Sequence, residues 1–128
     1  MASKSKIVFA ALLGASIGGA AIHGLHAQAK PKAYVVSELE TLDAKAAADY
    51  AERALKMQEA AGGRNLRTGG GKVTAMEGPP PPQRVAITEW ENLDKAQAFF
   101  KSKEWADAGP DRDKALKTVR RYAVEQRN

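Results

Sequence analysis

The chain has 128 residues, room for one domain, and carries 20 Lys and Arg against 15 Asp and Glu, a formal charge of +5. It holds no cysteine and only two histidines, His23 and His26, which excludes a cysteine nucleophile and a disulfide framework. Basic and acidic residues are interspersed, as in "KSKEWADAGPDRDKALKTVRR", and this excludes the clustered basic patch with stacking aromatics of a nucleic-acid-binding domain.

Residues 1–29 read as a secretory signal peptide. Lys4 and Lys6 form a positive head, Ile7 to Leu25 carry no formal charge, and Ala27-Gln28-Ala29 supplies the small-x-small cleavage pattern. Cleavage is therefore expected between Ala29 and Lys30. The competing reading is an uncleaved inner-membrane anchor, since the apolar run approaches spanning length, but Gly14, Gly18, Gly19, Gly24 and His23 interrupt it. The expectation is a periplasmic or secreted protein that meets the membrane only through its leader. Cleavage also removes both histidines, Lys4 and Lys6. The remaining domain, residues 30–128, has 18 basic and 15 acidic side chains, a charge of +3. Without His or Cys it can build neither a Ser–His pair nor a usual zinc site, and no acidic loop points to a hard cation. No metal and no cofactor are expected.

Along this domain, "AYVVSELE" (33–40) is rich in β-formers and predicts a strand. Ala33, Val35, Ser37 and Leu39 share one face; Tyr34, Val36, Glu38 and Glu40 share the other. Asp43 is placed to cap a helix reaching about Ala61, with Ala47, Tyr50, Ala51, Ala54 and Leu55 inward, and Gly62-Gly63 ends it. The next stretch, "RNLRTGGGKVTAMEGPPPP", is glycine-rich and basic. A phosphate-binding loop needs a strand before it and a helix N-terminus after it. Here a helix precedes and β-like residues come after, so the reading is a bent strand or hairpin, with Gly69–Gly71 at the bend. Pro79 to Pro82 predict a stiff extended connection. "QRVAITEWE" (83–91) predicts a strand, Asn92 caps a second helix over 93–102, and helical turns are expected over 103–109 and 111–117. "TVRRYAVEQ" (118–126) predicts the closing strand.

This is a β-α-β-β-α-β order, an α+β, ferredoxin-like arrangement with both helices on one sheet face. Tyr34, Val36, Val85 and Ile87 are expected on the other. Such an apolar surface calls for a partner, and a homodimer with facing sheets is expected.

Several stretches together carry a family resemblance: "AYVVSELE" with Asp49-Tyr50 after it, "GGRNLRTGG", Glu77-Gly78, "RVAITEW", "AFFKSKEW" and Arg112. In these the chain resembles the bacterial domain-of-unknown-function 1330 family, within the dimeric α/β-barrel superfamily, over nearly all of Ala33 to Gln126. Lys103 stands where the family has proline, Trp105 where it has tyrosine, and Ala61 where relatives carry a larger polar or aromatic residue. The resemblance implies the fold and the dimer; it implies no settled activity.

The candidate catalytic residues are Glu38 and Glu89. They are expected on adjacent, parallel strands, both facing the inter-subunit cavity, where neighbouring carboxylates would raise one pKa and supply a base. The alternative is that each pairs with an arginine (Arg64, Arg84 or Arg121) and only shapes the barrel wall. Tyr34, Tyr50, Arg64 and Arg84 are the candidate ligand-binding residues. Two functions stand open. One is an exported dimer holding a small molecule between its sheets. The other, which rests on the superfamily resemblance, is a cofactor-independent monooxygenase- or isomerase-like enzyme using a carboxylate base.

Overall fold

Four strands and four helices succeed one another as β1 (Ala33–Thr41), α1 (Ala44–Ala60), β2 (Arg64–Asn65), β3 (Arg84–Trp90), α2 (Leu93–Phe100), α3 (Lys103–Asp107), α4 (Gly109–Ala115) and β4 (Leu116–Glu125) in the computed structural model, which describes residues 29–127. The chain divides into two units, Met1–Lys30 and Pro31–Asn128. All of the first except Ala29 and Lys30, and so nearly the whole expected leader, falls outside the described residues. Every strand and helix named here belongs to the second unit. Among the described residues no helix is long and apolar enough to cross a membrane.

Local chemistry sets the helix limits. The Asp43 carboxylate accepts from the Ala46 amide at 2.8 Å and so satisfies one free donor of the first turn of α1. At the other end Gly63 N–H donates to the Gln58 carbonyl and Gly62 N–H to that of Glu59, a Schellman closure. Gly62 takes the left-handed φ of 98° that this closure demands. Asn92 and Ser102 cap α2 and α3 in the same manner as Asp43. The helical run breaks at Gly109-Pro110, where α3 has ended at Asp107, and the pair opens α4 with proline at a first-turn position, where its missing N–H costs nothing.

The sheet is antiparallel throughout, in the order β2-β3-β1-β4. β1 and β3 are neighbours as expected, but antiparallel rather than parallel. β2 and β3 pair antiparallel, as do β3 and β1, so β1 and β2 share a direction and β3 runs against both. The second strand is also shorter than "RNLRTGGGKVTAMEG" suggested, because residues 66–83 form no regular strand. In its place Leu66 N–H donates to the Ile87 carbonyl, and the Thr68 hydroxyl donates to the Val85 carbonyl while accepting from Ile87 N–H. These bonds satisfy the β3 edge without a ladder. A turn closed from Gly71 N–H to the Thr68 carbonyl marks the bend expected at the glycines.

The helices cover one face. Two clusters fill that layer: Leu39, Tyr50, Ala54 and Leu116 lie in one, Val35, Trp90, Phe99 and Trp105 in the other, and Met57 touches both. The Trp90 and Phe99 rings stack at 5.2 Å between centroids, and Phe100 meets Trp105 edge-on at 4.8 Å. Such aromatic pairs add about 0.5–1.5 kcal/mol each beyond the area they bury. The opposite sheet face carries Tyr34, Val36, Val85 and Ile87, half-buried, with Tyr122 and Val124 exposed at 47% and 53%.

Candidate functional site

The alternation of β1 sorts the expected residues into two groups. Tyr34, Glu38, Glu89 and Arg64 share the face turned away from the helices, whereas Arg84 and Tyr50 face the helical layer.

On the outer face the two carboxylates do not meet. Glu38 stands across from Val85 and Glu89 across from Tyr34, four ladder positions apart, which is roughly 13 Å along a strand. The parallel pairing that would have brought them together is absent. Each is instead tied to cations. Glu38 accepts from Nε of Arg120, the residue directly opposite it on β4, and Glu89 accepts from Arg64 at 2.9 Å and Lys32 at 3.3 Å. The hydrogen bond from Arg120 holds the Glu38 carboxyl below its ordinary range, against the opposing pull of burial. Arg64 does the same for Glu89, helped by Lys32. The expectation of a raised pKa is corrected: without a second carboxylate nearby, arginine decides the sign. Arg64 is the partner foreseen for Glu89; the partner of Glu38 is Arg120, rather than Arg64, Arg84 or Arg121.

On the inner face there is a cavity of about 300 Å³ between α1 and the sheet. α1 contributes Tyr50, Leu55 and Gln58, while the strands contribute Ser37, Arg84 and Arg121. Trp105 and Arg112 come from α3 and α4, and Arg67, Gly69 and Gly70 form its rim. Tyr50 is 7% exposed, yet its hydroxyl has no hydrogen-bond partner, and Arg84 Nε is likewise buried and unpartnered. Buried polar atoms are nearly always satisfied, so such exceptions call for an explanation.

Two further cations converge here. Arg121 Nε donates to the Ser37 hydroxyl at 2.8 Å, and its guanidinium carbon lies 4.8 Å from the Trp105 ring centroid. Arg112 lies 4.0 Å from the same centroid and donates to the Trp105 carbonyl at 3.1 Å. Among the described residues no carboxylate pairs with Arg84, Arg112 or Arg121. Burial holds the Arg121 guanidinium below the usual arginine range and Arg112 pushes the same way, while Tyr50 opposes them. Arginine nonetheless stays charged.

The rim is conformationally unusual. Arg67 has φ of 59°, in the left-handed region that side chains rarely adopt, and Asn65 holds it there by accepting from the Arg67 amide at 2.7 Å. Asn65 in turn donates to Gln58 on α1 at 3.0 Å, linking rim to helix.

Sequence reasoning missed Arg112 and Arg121 as cavity residues. The signal was present for Arg121: in "TVRRYAVE" strand alternation sets it with Ala123, on the face opposite to Tyr122 and Val124.

Comparison with known proteins settles the family. The family model for the domain of unknown function DUF1330 matches residues 32–126. This chain belongs to the DUF1330 family. That match spans every element of the fold, both the outer face and the cavity. Among solved structures, RPA0582, a protein of unknown function from Rhodopseudomonas palustris, is similar with a TM-score of 0.61 and 14% identity, over 84% of this chain and 92% of that one. The structure of methylated RPA0582 is similar with a TM-score of 0.59 at 14% identity, over 84% and 90%. At that identity the likeness concerns the fold alone. No curated protein matches the sequence.

Proposed function

We propose that this DUF1330 protein is a small exported, ferredoxin-like domain that pairs with a second copy through its outer sheet face and holds a small molecule in the cavity beneath α1, not between the paired sheets where the sequence placed it. The observation that carries the reading is a 300 Å³ space lined by the buried, unpartnered Tyr50 hydroxyl and Arg84 Nε. Each such group costs about 1–3 kcal/mol when left unsatisfied, a loss that a bound molecule would recover. The volume lies at the lower end of small-molecule sites. Tyr34, Val36, Tyr122 and Val124 support the pairing, since they form an apolar surface on the face without helices. Export is supported by the A-x-A pattern at Ala27–Ala29.

Geometry does not favour the enzyme reading with Glu38 or Glu89 as base. The two carboxylates stand four ladder positions apart, and a carboxylate held ionised by arginine is a weak proton acceptor.

Native mass spectrometry of the protein from its own exported fraction, with a neutral and charged fragment screen by thermal unfolding, tests the proposal. A retained small-molecule adduct, or a raised unfolding midpoint that Tyr50→Phe weakens, is expected. Absence of any adduct and of any stabilising fragment would overturn it. The same spectra report the pairing independently, as a dimer or monomer mass.

A further inference from the structure

The charge balance of the cavity narrows what it takes. Four arginines line one space, Arg84, Arg112 and Arg121 together with Arg67 at its rim. Two of them lie within 5 Å of the same Trp105 ring centroid, at 4.0 and 4.8 Å. Like charges that close together repel, and partial burial strengthens the repulsion because less water screens it. Among the described residues the cavity wall offers a single carboxylate, Glu52, and that residue is exposed. Arg121 spends its Nε–H on Ser37, and its two terminal nitrogens have no acceptor among the described residues. A planar fork of unspent donors beside a second cation is the arrangement that receives a carboxylate in two parallel hydrogen bonds.

The remaining wall is of a different kind. Leu39, Ala51, Leu55, Ala86, Phe100 and Leu116 line it, and none can hydrogen-bond through its side chain. A volume of about 300 Å³ is many times the space that one bound water needs. An inorganic anion would fill a small part of it and leave apolar walls facing water. An anion carrying an apolar body fills both parts.

We infer that the cavity beneath α1 takes a small organic carboxylate with an apolar body, its carboxylate received by Arg121 and Arg112 and its body lying between α1 and the sheet. This rests on the small-molecule role proposed above. The Tyr50 hydroxyl and Arg84 Nε–H then serve a second polar substituent or the far carboxylate oxygen.

Isothermal titration of the full-length protein with phenylacetate, its neutral isostere phenylacetamide and inorganic phosphate tests the inference. Phenylacetate is expected to bind at least about tenfold more tightly than the amide, the scale of one or two charge-assisted hydrogen bonds. Arg121→Gln is expected to erase most of that preference, and Arg120→Gln, on the outer face, to leave it unchanged. Should Arg121→Gln fail to fold, by circular dichroism, Arg112→Gln carries the same expectation. If the amide binds as tightly as the acid, the carboxylate inference falls while the cavity remains a small-molecule site. If phosphate binds as tightly as phenylacetate, the apolar walls play no part and the inference falls again. If none of the three binds, the carboxylate inference falls, and the ligand-holding role falls with it only if the adduct and fragment screen above is also negative.

Discussion

Glu38 and Arg120 are joined across the sheet by a direct carboxylate–guanidinium hydrogen bond, at facing positions of the β1–β4 ladder and on the side that has no helices. Glu38 is 7% exposed, so this pair neutralises a charge that would otherwise be enclosed without compensation. The partner matters more for what it fixes than for what it adds, because arginine there commits Glu38 to its ionised form.

That commitment gives a pH dependence with a definite sign. The folded Glu38 pKa lies below its ordinary 4.5, with the Arg120 hydrogen bond as first cause. The unfolded chain therefore binds the proton more readily, and the stability this pair contributes is present above pH 4.5 and lost as pH falls through the folded value. Thermal unfolding between about pH 7 and pH 3 should show a midpoint that drops on acidification. Glu38→Gln should start lower at neutral pH and drop less. An equal slope in the variant would show that Glu38 does not titrate with folding.

The glycine pair after α1 separates two reasons for needing glycine. A Cβ on Gly62 meets nothing within 4 Å, but its φ of 98° is left-handed. Gly62→Ala should cost about 1–2 kcal/mol, the penalty of that backbone conformation. Gly63 has no such φ, yet a Cβ there would come within 2.7–2.9 Å of the Trp90 indole, which is 1% exposed and cannot swing away freely. Gly63→Ala should cost about 1–3 kcal/mol through overpacking. Urea titration measures both losses, and Trp90 distinguishes their origins: near-ultraviolet dichroism should change for Gly63→Ala and stay for Gly62→Ala.

Much of this was legible in the residues. Asp43, Asn92, Gly62 and the alternation in "AYVVSELE" signal caps and faces through local rules, and each element formed where those signals stood. Non-local facts were not readable. Strand direction depends on how β2 and β3 fold back, and an error there moved Glu38 beside Glu89 in expectation although the ladder holds them apart. The "KVTAMEG" stretch has β-forming residues but no strand, because Thr68 and Leu66 already occupy the edge groups of β3. The cavity was hidden for a similar reason. Tyr50 and Arg84 stand out in the sequence as ligand-binding candidates, but Arg112 and Arg121 lie on two further elements, and nothing local in the sequence shows that all four line one space.

Tyr50 separates stability from binding. Its buried hydroxyl has no partner, so removing it takes away no protein hydrogen bond and relieves a desolvated polar atom. Tyr50→Phe should leave the ligand-free protein as stable as the parent or more stable by about 1 kcal/mol. A loss of more than about 1 kcal/mol by urea titration would mean that the hydroxyl has a partner in solution, such as an ordered water. Stability gained with binding lost is the signature of a functional rather than structural polar group.

Thr88 presents the opposite case in the same layer. Trp90 Nε1–H donates to the Thr88 hydroxyl at 2.9 Å, and both residues are buried, at 1% and 4% exposure. Thr88→Val keeps the shape of the side chain and the β-branching that suits β3, but it removes the acceptor. The indole N–H is then left enclosed with nothing to donate to, for a cost of about 1–3 kcal/mol. Thr88→Ser keeps the acceptor and gives up one methyl group, about 1 kcal/mol. Denaturant unfolding should therefore rank the parent first, Thr88→Ser second and Thr88→Val last. If Thr88→Val matched the parent, the Trp90 N–H would be satisfied elsewhere, and the assignment of Thr88 as the anchor of the central tryptophan would fail.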